Sequence, residues 1–432
     1  MDHRDLAAIV GAEHVEAPPP ARYLHDATLQ RGLSGRAAAV VRPGDAEEVA
    51  RVVAWCYERE VPIVPRGGGS GLAGGAVPLH DASVVLSLER LTRIRSFEPE
   101  LWRMQVEAGV TTATVQRLAR ENGLWFPPDP GAADQSQIGG NVATNAGGPH
   151  AFKHGQTGAW VTGLEAVVAP GEIVSFGGPV RKDMAGYDMK SLMIGSEGTL
   201  GVVTAVWLRL IPAPEHAPKV VAAFFETVRA GCNAMLEVLG SGIQPEAIEF
   251  LDGTAFNAAA TTYPGTAPKE PMTLLLLFEV HDGSEELVRL MPGTVEILDS
   301  KTAWRWRDTV HGAVTSLRGG KLSEDVAVPI ERLADALERF TEIGERHNLP
   351  TCAWGHAGDG NIHATFLIEP GETVDPQDVF DMALELGGTV TGEHGLGSLK
   401  RGRWSPTAAA LHERVKQAFD PKGLFNPGKK SA

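Results

Sequence analysis

The sequence is short of cysteine, of cationic charge and of long apolar runs, and each shortage removes a class of protein. Three cysteines, Cys56, Cys232 and Cys352, stand far apart in 432 residues with no C-x-x-C between them. A disulfide framework and a thiolate metal site are both excluded, and three buried, inert thiols are expected. Lys and Arg number 39 against 54 Asp and Glu, a formal net charge of −15. No basic face survives that balance, so nucleic acid is not an expected partner. No segment reaches the roughly 18 uncharged apolar residues of a membrane-spanning helix, so no transmembrane segment is expected. Met1 to Pro20 mixes acidic and basic residues without an apolar stretch of signal-peptide length. The expected compartment is cytoplasmic, with peripheral attachment to a membrane left open. The rest, 43% hydrophobic and 22% charged, is the composition of a globular chain long enough for two or three cores.

Glycine is abundant: 50 Gly and 29 Pro, with the glycines clustered behind short β-branched runs. That pattern points to backbone loops wrapped close to a ligand. Ala46 to Glu58 has helical periodicity, and Val61 to Pro65 and Ser83 to Leu88 are apolar runs, so a β-α-β start is expected. Thr112 to Asn122 reads as a helix, Phe126 to Gly148 as one long ordered loop, and Val161 to Val168 and Leu200 to Leu210 as strands flanking the turn Gly195 to Gly201. From Ile211 a Pro-rich connector, PAPEHAPK, marks a domain boundary. Beyond it helices (Phe225 to Leu239, Pro329 to Asn348) alternate with strands (Met272 to Val280, Ala364 to Ile368). The expected domains are 1–212, 213–400 and a C-terminal segment, 401–432, that returns to the first.

Gly69, Gly71 and Gly74 make a formal G-x-G-x-x-G inside Arg66-Gly-Gly-Gly-Ser-Gly-Leu-Ala-Gly-Gly75. A Rossmann loop needs a long helix directly behind it, and Pro78 and the strand from Ser83 leave no room for one. What survives is a nest of N–H groups able to bind phosphate, or a plain glycine turn. In Phe126 to Gly148, small residues would let the backbone approach a flat ligand. There Ser136, Asn141, Thr144 and Asn145 supply neutral donors and acceptors suited to an isoalloxazine or adenine edge.

In Trp354-Gly-His-Ala-Gly-Asp-Gly-Asn-Ile-His-Ala-Thr365 the turn formers Gly358 to Asn361 predict a hairpin with His356 opposite His363. Opposed residues share a face with Cβ atoms roughly 5 Å apart, so the two imidazoles are a ready divalent-metal pair. Glu393 in Gly392-Glu-His-Gly395 would supply a third, carboxylate ligand. Two histidines that merely pack or hydrogen-bond remain the alternative.

In this order, PRGGGSGLAGG, PPDPGAADQSQIGGNVATNAGG, AGYDMKSLMIGSEGTLGVVT, GHAGDGNIH, EHGLG and FDPKGLFNPGK resemble the FAD-linked D-2-hydroxyacid dehydrogenases of the vanillyl-alcohol-oxidase-type flavoprotein superfamily. Members include D-lactate dehydrogenases, glycolate oxidase large subunits and D-2-hydroxyglutarate dehydrogenases. The resemblance runs from about Tyr23 to Gly428. It implies an α+β fold: a two-subdomain FAD-binding domain and an α+β, ferredoxin-like substrate or cap domain. Arg66, Gly67, Gly68, Gly69, Ser70 and Gly71 would cradle the pyrophosphate. Asp129, Ser136, Gly139, Gly140, Asn141, Thr144 and Asn145 would run along the cofactor, with Glu197, Gly198, Val202 and Asn426 beside it. His356, His363 and Glu393 match positions where family members bind Zn, Mn or Fe. Arg307 and Lys321 match the family's substrate-carboxylate cations, with Arg305 a near neighbour. Tyr187 and Lys190 could line the flavin or substrate, although a core tyrosine is the more economical reading.

The reaction so implied is oxidation of a small D-2-hydroxy acid (lactate, glycolate or 2-hydroxyglutarate-like) to the 2-oxo acid. Its hydroxyl would sit on the metal, His394 would take the proton, and the Cα hydride would pass to flavin N5. An electron acceptor is required, whether quinone, electron-transfer flavoprotein, cytochrome or oxygen, and a homodimer stays open. The competing readings are an FAD oxidase of another alcohol with a vestigial metal site, a metal-dependent hydrolase or lyase built on the His/His/Glu set, and a non-catalytic subunit.

Relatives that attach FAD covalently carry His in the first glycine loop, where Ser70 stands here. The flavin is therefore expected to be non-covalent. Acid precipitation should release the yellow colour into the supernatant, and flavin retained on the denatured chain would contradict this.

Overall fold

The computed structural model describes residues 3–403 and 406–430. Met1 and Asp2 of the expected first domain, and Trp404, Ser405, Ser431 and Ala432 of the expected C-terminal segment, lie outside the described residues. The chain divides into two units. One takes in the described residues up to Gly148, Gly155–Ala213 and those from Glu393 onward, and the other is Pro149–His154 with Pro214–Gly392.

In the first unit the β-branched runs form Val15–Glu16 (β1), Ala39–Val41 (β2), Ile63–Arg66 (β3) and Val84–Ser87 (β4). Their sheet has the order β1-β2-β4-β3, with β4 parallel to both β2 and β3. Helix Ala46–Glu58 joins β2 to β3. Asp45 caps it by accepting from the Glu48 N–H, and Val49, Val52, Val53 and Cys56 bury its apolar face. No helix lies between β3 and β4, the feature whose absence removes the Rossmann reading.

The second sheet of this unit is antiparallel. Ile94–Glu98 (β5), Arg103–Glu107 (β6), Val161–Val168 (β8), Glu172–Gly177 (β9) and Val202–Arg209 (β10) run in the order β5-β6-β10-β8-β9, and Leu124–Trp125 (β7) pairs with Ile211–Pro212 (β11). The expected loop 126–148 contains a helix, Ile138–Thr144. Its Gly139-Gly140 pair reads as a turn in sequence but lets the helix lie against Ala108, only 2.6 Å from where a Gly139 Cβ would stand.

The second unit is built on one antiparallel sheet. Its strands are Lys219–Phe225 (β12), Ala247–Asp252 (β13), Leu274–Val280 (β14), Thr294–Asp299 (β15), Gly320–Ala327 (β16), Thr351–His356 (β17) and Asn361–Ile368 (β18), in the order β15-β12-β14-β13-β17-β18-β16. The first four, with helices Val228–Ser241 and Ser284–Leu290 between them, have the ferredoxin-like arrangement, and the last three extend it. The expected helix Phe225 to Leu239 starts late. Phe225 ends β12, and Thr227 caps the helix proper. One sheet face carries Phe250, Phe278 and Phe366, the last edge-on to Phe340 of helix Leu333–His347 at 5.3 Å. The other buries Leu251, Leu275, Leu277, Cys352, Trp354 and Leu367 in a core shared with Ala255, Phe256, Ala303 and Trp306. All three cysteines are buried. Among the described residues no helix is long and apolar enough to cross a membrane.

Besides a one-residue shift at Ala213, the unit borders differ from the sequence boundaries in two places, each with polar contacts behind it. Residues 393–400 group with the first unit, where the Glu197 carboxylate accepts the Leu396 and Gly397 N–H groups at 3.0 and 2.7 Å. Pro149–His154 groups with the second, where His150 reaches Glu279 at 2.6 Å and His154 reaches Glu246 at 2.7 Å.

Candidate functional site

The hairpin forms, but its register corrects the sequence reading: His363 pairs with Trp354, and His356 pairs with Glu249 of β13. Four residues, 357–360, separate the two strands, but Ala357–Asp359 coils into a 3-10 turn and the pairing nearest the turn is Trp354 with His363. The slip is two residues, an even number, so both imidazoles stay on one face. Their ring centroids lie 5.6 Å apart at 82°. Asp325 of β16 pairs with His363 from the other side.

A row of titratable groups thus crosses five neighbouring strands on one face: Glu279, Glu249, His356, His363 and Asp325, all under a tenth exposed. Buried charges are tolerated only when paired, and these carboxylates are. Asp325 accepts from Asn361 Nδ2 (2.6 Å), the Thr391 hydroxyl (2.7 Å) and the Gly392 N–H (3.0 Å). It thereby fixes the chain just before Glu393. Glu249 takes Arg307 Nε at 2.9 Å and Nη2 at 2.7 Å on Oε2, and meets His356 Nδ1 through Oε1. Glu279 accepts from Trp304 Nε1 at 2.8 Å and from the Ser300 hydroxyl. Ser300, Trp304 and Arg307 form one stripe of helix Ser300–Arg307, which lies on the row. Arg305 points elsewhere and is exposed.

Lys321 shares this face, but it stands four residues along β16 from Asp325, about 13 Å at strand rise. Its ammonium donates to the His311 carbonyl at 2.6 Å and lies 5.1 Å from the centre of the Trp354 ring. Burial lowers its pKa to about 8.

In the first unit two backbone loops face each other. A Cβ on Gly68 would stand 1.9 Å from the Gln135 carbonyl oxygen, and Gly69 has φ +69°, so glycine is required at both. Nothing lies within 4 Å of where a Gly140 Cβ would be. The Gln137 Oε1 and Asn426 Oδ1 acceptors are buried with no hydrogen-bond partner. FAD offers the N3–H, ribityl hydroxyls and adenine amine that such acceptors need, and a phosphate bridge that such amide loops bind, so the cradle fits it.

Several expected cofactor residues hold the loops of the cradle through their side chains. Arg66 donates to the carbonyls of Arg22 (2.7 Å) and His25 (2.8 Å), beneath Gly69. Thr112 joins the Ser136 hydroxyl at 2.7 Å and Asn141 Nδ2 at 2.6 Å. Thr144 bonds the Gly140 carbonyl, and Asn145 spans Gln156 and the Gly158 N–H. Val202 is a core residue, Gly198 lies against Pro65, and the Asp129 carbonyl abuts Gly148. Asn426 Nδ2 bonds the carbonyls of Gly75 and Glu197 at 2.9 and 2.8 Å. His394 Nε2 is 3.3 Å from Glu393 Oε1. Tyr187, read as a core residue, is instead 93% exposed.

A glycine cradle on one α+β unit and a His–carboxylate row on another are the two halves of a flavoprotein of the vanillyl-alcohol-oxidase fold. Alkyldihydroxyacetonephosphate synthase shares that fold at TM-score 0.78 and 18% identity, over 98% of this chain and 84% of that one. Residues 37–177 match the FAD binding domain family, and residues 214–430 match the family of FAD linked oxidases, C-terminal domain. The chain belongs to the FAD-linked oxidases and is an FAD-linked oxidoreductase. It is 32% identical to glycolate oxidase subunit GlcD of Bacillus subtilis, over 98% of this chain and 95% of that protein. It is 33% identical to D-lactate dehydrogenase of Archaeoglobus fulgidus, over 95% and 96%. The hydrolase and lyase readings fall with this assignment.

Sequence reasoning missed Glu249, Glu279, Asp325 and Gln137. The first two were visible as carboxylates flanked by apolar residues inside the strands AIEFLD and LLLLFEV, where a buried charge demands a partner.

The lowered Lys321 pKa gives a test of its place as a carboxylate anchor. The ammonium is charged below about pH 8 and loses its charge as pH rises through that value. The KM for the acid substrate should climb above about pH 8, and Lys321→Arg, which stays charged, should flatten the rise. A parent KM constant to about pH 9.5 would remove Lys321 from carboxylate binding.

Proposed function

We propose that this protein oxidises a small D-2-hydroxy acid to the 2-oxo acid with non-covalent FAD and one divalent ion, Zn, Mn or Fe. The observation supporting this most strongly is the pair of imidazoles, His356 and His363, on one buried face beside the Arg307–Glu249 pair. Similarity to a glycolate oxidase subunit and a D-lactate dehydrogenase favours the substrate class.

His356, His363 and Glu393 would hold the ion, two nitrogens and one carboxylate being a donor set that suits a divalent metal. Bound FAD supplies the acceptor for the Cα hydride, and the bound ion supplies Lewis acidity toward the substrate hydroxyl. Arg307 is the nearer anchor for the substrate carboxylate, with Lys321 behind it. His394 takes the hydroxyl proton, held by the glycines on either side and by its Glu393 neighbour. Around the cofactor, Gly67, Gly68, Gly69, Ser70 and Gly71 would face the phosphates and Gly140 the ring system, with Gly139 seating their helix on Ala108. A quinone, electron-transfer flavoprotein, cytochrome or oxygen reoxidises the flavin.

Anaerobic mixing with a panel of D- and L-2-hydroxy acids should bleach the flavin with a D-acid only. His394→Gln should keep FAD yet slow that bleaching by roughly 100- to 10,000-fold. Bleaching by no 2-hydroxy acid would sink the substrate class, and slowing of less than about tenfold would remove His394 as the base.

A further inference from the structure

Glu249 is wholly buried in the middle of an apolar strand, a costly place for a carboxylate unless it has work there. It stands directly opposite His356 across β13 and β17 and meets the imidazole at Nδ1. A carboxylate accepts but cannot donate when ionised, so the proton of a neutral imidazole is drawn to Nδ1 and the lone pair to Nε2. On its other oxygen Glu249 holds the Arg307 guanidinium by two donors, Nε and Nη2. The two donors hold that oxygen and balance the carboxylate's charge. The three residues come from a strand, a helix and a second strand of one unit, so none owes its place to a mobile loop.

We propose that Glu249 is a positioning residue that fixes the His356 tautomer and ring orientation, presenting Nε2 to the metal, and that Arg307 acts on the metal through Glu249. This rests on the metal reading of the previous section. It also changes what Arg307 does. A residue that only anchored substrate would alter KM, whereas a residue tied to Glu249 alters metal affinity as well.

The test uses the full-length, FAD-loaded protein stripped of metal, titrated with Zn²⁺ and with Mn²⁺ against a chelator. Glu249→Gln should keep its flavin and bind the ions roughly 10- to 100-fold more weakly, the usual consequence of losing a carboxylate behind a ligating histidine. Arg307→Gln should weaken binding in the same direction. In the metal-free parent, long-range ¹H–¹⁵N spectra of the labelled histidines should find His356 protonated at Nδ1, a readout that needs no variant to fold. Equal metal affinity in parent and Glu249→Gln, or a His356 protonated at Nε2, would overturn the role of Glu249 alone. A parent that takes up neither ion would overturn the metal reading and this proposal with it.

Discussion

Five carboxylates of the second unit, Glu246, Glu249, Glu279, Glu324 and Asp325, are almost entirely removed from water. An isolated charge so placed would cost several kcal/mol, so each dictates where a donor must go. Glu249 calls for Arg307, which fixes the rotation of helix Ser300–Arg307, and the same rotation brings Trp304 and Ser300 to Glu279. Asp325 calls for Asn361, Thr391 and the Gly392 amide, which sets where the chain stands as it reaches Glu393 and His394. Burial alone would raise the Glu246 pKa, yet His154 and Lys153 hold it down to about 2, and in doing so tie Pro149–His154 to this unit. The apolar core beneath, from Leu251 to Trp306, supplies the stability and the low dielectric that makes the pairing obligatory.

The first unit solves a different problem with different chemistry. Its cradle is made of backbone, and side chains are spent behind it to hold loop shapes: Arg66 under Gly69, the Ser136–Thr112–Asn141 network under the second loop. Glu197 grips Leu396 and Gly397, while Asn426 ties the Glu197 and Gly75 carbonyls together. The stretch that carries Glu393 and His394 is in this way fastened to the turn that begins at Gly195. A dinucleotide with its own charges and hydrogen-bond groups needs shaped amides more than side chains, which is consistent with loops in which Gly68 admits no Cβ.

Much of this was legible in the residues. Helix Ala46–Glu58 and strand Val161–Val168 follow from periodicity with the bounds expected, because their apolar faces are regular. Helix Ile138–Thr144 was hidden by its Gly-Gly pair, a local signal overruled by close packing on Ala108. The hairpin at Gly358 was legible, its register was not, since glycines allow several loop lengths and only the pairing of Glu249 with His356 selects one. Side-chain roles were least legible. Arg66, Asn141 and Asn145 have the chemistry of cofactor ligands, and the bonds by which they also hold the loops, to residues up to 44 positions away, leave no mark in the local sequence. That Arg307 and not Arg305 meets the polar row follows from helix rotation, through a carboxylate 58 residues away.

If the two imidazoles of the polar row serve a flavin enzyme as metal ligands, with Glu393 as the third, the protein carries its ion only while both imidazoles are present. Elemental analysis of the purified protein beside its His363→Ala variant tests it most directly. About one divalent ion per chain is expected in the parent and little in the variant, with the flavin content of the two equal because the cradle lies in the other unit. A parent without metal that keeps full activity in chelator, or a variant that retains the ion, would contradict the account.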